Sequence, residues 1–245
     1  MNTDRNTDAK KKWKGEISEH RHGEIDVLRA VAIVLMVIFH LVYDLNEFAG
    51  VDINDQAPLW FFIGKVSALT FIFISGLSSG FSRFPVRRGL KVFFCGMGIT
   101  VVTYLVMKDE YVRFGILHFL GVVMMLSPIF FRLPKWMLWS LGGISLLLGF
   151  WFREQVLKTS LLLPFGLMYD GFRSIDYYPL FPYLAASIAG ILVYKKFYAQ
   201  FPRGNAPFSF RLKSKLIRWV SRKSLSIYLV HQPILLLIIL IVNRL

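Results

Sequence analysis

Residues Glu24 to Phe48 read EIDVLRAVAIVLMVIFHLVYDLNEF. From Val27 to Leu45 the stretch is apolar enough to cross a bilayer, which takes about 20 residues. It nevertheless carries Asp26, Arg29, His40 and Asp44. An ionisable group at such depth costs about 2.5–3.5 kcal/mol on insertion scales, so it faces a bundle interior or a wet cavity. At about 100° per residue, the steps from Arg29 to His40 make three turns plus roughly 20°. Asp26, Met36 and Asp44 fall within about 60° of the same line. The remaining positions are mostly Val, Ile, Leu, Phe and Ala. The spacing predicts a membrane-spanning helix, apolar around most of its girth, with one reactive stripe.

The composition agrees with that reading. The 245 residues are 55% hydrophobic and 16% aromatic, and the mean hydropathy is +0.52, values of a multi-span membrane protein. One cysteine, Cys95, excludes an internal disulfide and a cysteine-cluster metal site. Residues 1–23 are polar, with KKKWK at Lys10 to Lys14, and read as a disordered basic cytosolic tail. The apolar run behind them is too long for a signal-peptide core and has no small-x-small cleavage site, so it is expected to stay as the first span.

Six more spans are expected: about 58–81, 90–107, 114–131, 136–152, 179–197 and 225–242. The second is rich in Ser67, Ser75, Gly76, Ser78, Ser79 and Gly80, small residues that let helices approach closely. Within 153–178 the piece SLLLPFGLM is too short to cross and is broken by Pro164, so a re-entrant or interfacial segment is expected over 159–172. The stretch RLKSKLIRWVSRK, ending at Lys223, reads as an amphipathic helix on the membrane surface. The expected fold is an all-α bundle of about seven membrane helices (seven to eight), with residues 24–245 forming one domain.

Counting Lys and Arg on alternate sides gives 21 on the tail side and six on the other, which predicts a cytosolic N-terminus. The net charge of +14 is absorbed by this topology signal, and nucleic acid is not an expected partner. With the tail inside, Arg29 sits roughly 6 Å in from Ile25 and His40 roughly 22 Å in, from the 1.5 Å rise per residue. Arg29 is then a fixed cation suited to phosphate, near the cytosolic mouth. His40 is a proton-exchanging group in the outer third of the membrane. Asp44, one turn on, is the candidate to orient the imidazole as acid partner of a base. The competing account has Arg29 snorkelling to lipid phosphate and His40 making a structural hydrogen bond.

Other polar groups gather at the outer face. His118 follows Asp109, Glu110 and Arg113 in VRFGILHFLG, and Asp176 opens DYYPLFPY. Both are acceptor-side candidates. His231, in SLSIYLVHQP ahead of Pro233, reads as a packing and hydrogen-bonding residue. No metal-ligand spacing, phosphate-cradling glycine loop or nucleophile elbow occurs in the sequence.

The ordered set EIDVLRAVAIVLMVIFHLVYDL, FIFISGLSSGFSR, VRFGILHFLG, DYYPLFPYLAASIAG and SLSIYLVHQPILLL resembles bacterial membrane proteins related to the catalytic domain of heparan-α-glucosaminide N-acetyltransferase. Its ends also look like the wider group of integral-membrane sugar acyltransferases, whose first helix carries an Arg, ten residues and a His, as Arg29 and His40 stand here. The chain has Leu-Arg-Ala where Leu-Arg-Gly is usual, and fewer spans than the larger relatives.

The resemblance implies transfer of an acyl group from cytosolic acyl-CoA to a hydroxyl or amine of an extracytoplasmic glycan or sugar-containing acceptor. It implies a multi-pass protein of the inner (cytoplasmic) membrane, with no permanently bound cofactor and with acetyl-CoA or another acyl-CoA as co-substrate. In that scheme His40 and Asp44 are catalytic, and Arg29, Arg83, Arg87 and Arg88 hold the CoA phosphates. His118 and Asp176 lie toward the acceptor. Self-association stays among the expectations. The rival readings are a transporter or flippase-like scaffold using the stripe as a polar pathway, and a structural membrane subunit without catalysis.

Overall fold

The computed structural model describes residues 22–51, 57–201, 210 and 212–242. Residues 1–21 of the expected cytosolic tail, and Asp52 and Asp55 of the loop after the first span, lie outside the described residues. A bilayer core offers no water to peptide groups, so apolar segments satisfy their backbone internally as helices. Eight are formed among the described residues: α1 (Gly23–Ala49), α2 (Pro58–Ser79), α3 (Pro85–Met107), α4 (Ile116–Arg132), α5 (Lys135–Phe152), α6 (Leu180–Phe197), α7 (Lys215–Arg222) and α8 (Ser224–Val242). The sequence sets their ends. α1 stops at Gly50, whose φ of 64° is the left-handed cap that glycine adopts without strain. α3 starts on Pro85, where a missing N–H costs nothing.

Six of the helices (α1, α2, α3, α5, α6 and α8) are long and apolar enough to cross a membrane. The remaining expected span, the fourth, is α4, which is apolar but has only 17 residues. Contacts at its two ends explain how it serves. At one end Lys195 Nζ donates to the carbonyls of Phe131 and Leu133, at 3.1 and 2.5 Å. At the other, Tyr178 N–H donates to Phe114 O at 2.9 Å and Ile175 N–H to Glu110 O at 3.0 Å. Thus α4 runs between the same two ends as α5 and α6, at about 26 Å against a hydrocarbon core of about 30 Å. The amphipathic segment forms α7, with Leu216 and Trp219 exposed and Ser221 buried.

The segment expected to be re-entrant or interfacial folds as a short parallel pairing around a turn. Val156 and Leu157 pair in parallel with Met168 and Tyr169, around a 3-10 turn at Leu163–Phe165. Its apolar side chains divide, with Leu163 buried and Leu161 82% exposed. It is a folded loop with an apolar outer surface.

Two compact units are present, one of Met1–Ser67 with Phe197–Leu245 and one of Ala68–Lys196. In the first, Ala32, Ile33 and Met36 of α1 are buried, and Ser67 Oγ donates to the Ala32 carbonyl at 2.9 Å. In the second, the core is Ile72, Phe119, Leu138, Ile188 and Ile191. Small residues bring its backbones together: a Cβ on Gly76 would strike the Ser187 carbonyl, and one on Gly190 the Phe73 carbonyl.

Candidate active site

The stripe on α1 faces protein. Asp26, Met36 and Asp44 are buried and Arg29 and His40 half-buried, while Leu28, Val31, Val34, Ile38 and Leu41 on the opposite side are exposed. The stripe meets α7 at one end and α8 at the other.

At the first end a serine joins the two charges. Ser221 Oγ donates to Asp26 Oδ1 at 2.6 Å and accepts from Arg29 Nη1 at 2.9 Å, with Arg29 and Asp26 themselves 4.0 Å apart. Arg29 therefore turns into the protein toward α7 and does not simply snorkel to lipid. A buried carboxylate is held only when bonded and charge-balanced, and both conditions are met here. Nearby, Tyr198 Oη donates to Glu24 Oε1 at 2.9 Å, and the phenol's pKa is pushed well above its usual range by burial and by that carboxylate.

At the second end, His40 Nδ1 lies 2.9 Å from the Met36 carbonyl one turn earlier. A carbonyl only accepts, so Nδ1 carries the proton and the lone pair is on Nε2. The His40 ring meets the His231 ring edge to face, with centroids 4.7 Å apart and planes at 80°. His231 Nδ1 in turn donates to Tyr228 O at 2.6 Å. Asp44 departs from expectation. Its Oδ1 accepts from Gln232 Nε2 of α8 at 2.7 Å, and it does not orient His40; the Met36 carbonyl does. The physical reason is directional, since a helical side chain leans toward the N-terminus, which brings the Met36 carbonyl within reach of His40 and leaves Asp44 to α8.

The other expected site residues belong to the second unit. His118 Nδ1 accepts the Gly115 N–H at 3.2 Å, and its Nε2 lies 3.3 Å from Thr100 Oγ1, which donates to Val112 O at 2.7 Å. Both ring nitrogens are thus engaged in a residue that is only 2% exposed. Asp176 Oδ2 accepts the Ile116 N–H at 3.0 Å. Together they cap the first turn of α4, where backbone donors need partners. Tyr177 beside them donates to Leu163 O at 2.7 Å, and burial pushes its pKa well up. Arg83, Arg87 and Arg88 are exposed, with Arg88 Nη1 3.4 Å from Ser82 Oγ. No group of three or more metal-ligating His, Cys, Asp or Glu side chains occurs among the described residues.

Sequence reasoning did not select Ser221, His231 and Gln232 as site residues. His231 was visible as an ionisable group inside an apolar span, the one signal that marks such residues. Ser221 and Gln232 carried none.

These helices define a multi-pass membrane protein with a polar seam holding two histidines. The chain belongs to the heparan-alpha-glucosaminide N-acetyltransferase catalytic family, whose profile matches residues 21–233. That membership makes it a transferase of the membrane acetyltransferase type. No curated protein and no solved structure matches the chain.

Proposed function

We propose that the protein takes an acetyl group from acetyl-CoA on the tail side and transfers it to a hydroxyl or amine of a sugar-containing acceptor on the opposite side. His40 is the general base. The observation that carries this reading is the hydrogen bond from His40 Nδ1 to Met36 O, which leaves the basic lone pair on Nε2 of a half-buried ring on the polar face.

In the reaction, the acceptor O–H or N–H gives its proton to His40 Nε2 as its oxygen or nitrogen attacks the thioester carbonyl carbon. The C–S bond then breaks, CoA leaves as thiolate, and the imidazolium returns the proton to sulfur. Arg29, on the same stripe and about 16 Å away along the helix axis, is placed for the phosphate end of the donor. An extended pantetheine arm running past Met36 would join the two. Charge counting puts Arg83, and Arg87 and Arg88 in the first turn of α3, on the tail side as well. The membrane concerned is the cytoplasmic one.

The test is incubation of the purified protein with acetyl-labelled acetyl-CoA and an extract of cell-envelope glycans, followed by mass spectrometry. Label is expected in a glycan product with the unmodified protein and not with His40→Gln. Protein that binds acetyl-CoA but labels no fraction would overturn the reading.

A further inference from the structure

Four side chains close a ring where α1 meets α8. His40 and Asp44 are one turn apart on α1, His231 and Gln232 are neighbours on α8, the two imidazoles touch, and the Gln232 amide is bonded to Asp44. Each of three members keeps one buried polar atom with no hydrogen-bond partner among the described residues: Asp44 Oδ2, His231 Nε2 and Gln232 Oε1. Asp44 is fully buried and His231 is 9% exposed.

All three atoms accept and none donates. Asp44 Oδ2 is a carboxylate oxygen. Gln232 Oε1 is fixed as the oxygen because its amide nitrogen is the atom facing Asp44. His231 Nε2 bears the lone pair because Nδ1 is bonded to the Tyr228 carbonyl. A buried acceptor left without a donor is costly, and the cost is greater where no bulk water reaches. Chance packing of an apolar helix pair gives no reason to gather three of one polarity. A partner that brings N–H or O–H donors removes such penalties.

We propose that Asp44, His231 and Gln232 form a substrate subsite for hydrogen-bond donors beside His40, with His231 as a binding residue of the reaction. This rests on the acetyl-transfer reading above. Two parts of the substrates have the required chemistry: the amide N–H groups of the pantetheine arm, and the O–H or N–H groups of the sugar acceptor. An apolar acyl chain or a phosphate cannot fill the subsite, since neither supplies a donor and a phosphate would be repelled by Asp44.

The experiment uses the full chain in lipid nanodiscs, with acetyl-CoA and glucosamine as probes. The affinity for acetyl-CoA, the KM for glucosamine and the rate of CoA release are measured. His231→Asn keeps a donor near Nδ1 for Tyr228 and removes the acceptor at Nε2, whereas His231→Gln returns a polar atom to the Nε2 position. Asp44→Asn keeps the shape and lets one oxygen accept from Gln232, while presenting a donor where Oδ2 was. Loss of one buried hydrogen bond predicts about a tenfold weakening in His231→Asn, and at least that in Asp44→Asn. His231→Gln should recover most of the loss.

Weakening confined to acetyl-CoA assigns the subsite to the pantetheine arm, and weakening confined to the glucosamine KM assigns it to the acceptor. Unchanged constants for both probes in His231→Asn and Asp44→Asn overturn the subsite, with transfer by the unmodified protein intact. An equal loss in His231→Gln and His231→Asn also overturns it, as does failure of all three variants to fold, since the ring is then purely structural. If the unmodified protein neither binds acetyl-CoA nor releases CoA, the acetyl-transfer reading itself fails and takes the subsite with it.

Discussion

Gln232 donates its side-chain amide to Asp44 at 2.7 Å, tying the last turns of α1 to α8 across 188 residues of chain. The bond lies within membrane-spanning segments, where removing one partner leaves a polar group with little water to turn to. Gln232→Leu is therefore expected to lower unfolding stability by about 1–3 kcal/mol. Removing both partners, in Gln232→Leu with Asp44→Leu, should cost less than the sum of the single changes. The coupling expected is about 0.6–1.7 kcal/mol, the range for hydrogen bonds between membrane helices. Thermal unfolding of the four proteins in one detergent measures it; strict additivity would mean the bond contributes nothing.

His40→Gln should reduce acetyl transfer by at least about 10²-fold, the lower end for loss of a general base. Gln retains size and a hydrogen-bonding group but cannot take a proton. Insertion and acetyl-CoA binding should persist, because the donor contacts expected at Arg29 lie three turns away along α1. Single-turnover rates beside a binding isotherm check both halves.

Ser221→Ala removes the hydroxyl that joins Asp26 to Arg29. With Asp26 left buried and short of a donor, a loss of about 1.5–3 kcal/mol is expected, as for a hydrogen bond to a charged group. The loss should be local to the α1–α7 contact. Trypsin cleavage within α7, which carries Lys215, Arg218 and Arg222, should accelerate in step with the drop in melting temperature.

Two glycine substitutions should move stability in opposite directions. Gly76→Ala drives a methyl into the Ser187 carbonyl and should destabilise by about 1–3 kcal/mol or more, since backbone cannot step aside as a side chain can. Gly143→Ala, in α5, meets nothing within 4 Å. It should be neutral or stabilising by up to about 1 kcal/mol, the helix-propensity difference. A thermal-shift series across the pair decides this.

The same-end contacts of the second unit make orientation testable. In a background with Cys95 replaced by Ser, Asp109→Cys should react with a membrane-impermeant maleimide added outside intact cells, and Arg87→Cys only after the cells are opened. The reverse pattern would invert the chain, and reaction of both from outside would remove α3 from the list of crossings.

The first span and its polar face were legible in EIDVLRAVAIVLMVIFHLVYDL, because both depend on one helix and its period. The structure buries Asp26, Met36 and Asp44 on that face and exposes Leu28, Val31 and Val34 away from it. The span ends were less so, since the helix that starts on Pro85 begins five residues ahead of the start expected at 90. Nor was the start of α4, because FGILHFLG carries the hydropathy of a span from Phe114, while the helix begins at Ile116 with His118 and Asp176 capping its first turn.

Chain order and hydropathy thus determined that residues such as Arg29 and His40 share a face, because helical angle and transfer free energy are properties of a segment by itself. They did not determine what stands opposite. Asp44 had His40 as its nearest polar neighbour on the stripe, yet its hydrogen bond goes to Gln232, and Arg29 found Ser221 from a helix 192 residues away. His118 looked available until Gly115 and Thr100 took both ring nitrogens. Side-chain hydrogen bonds reach about 3 Å and demand alignment. Only the packing of α7 and α8 against α1 could decide which donors and acceptors came within that distance.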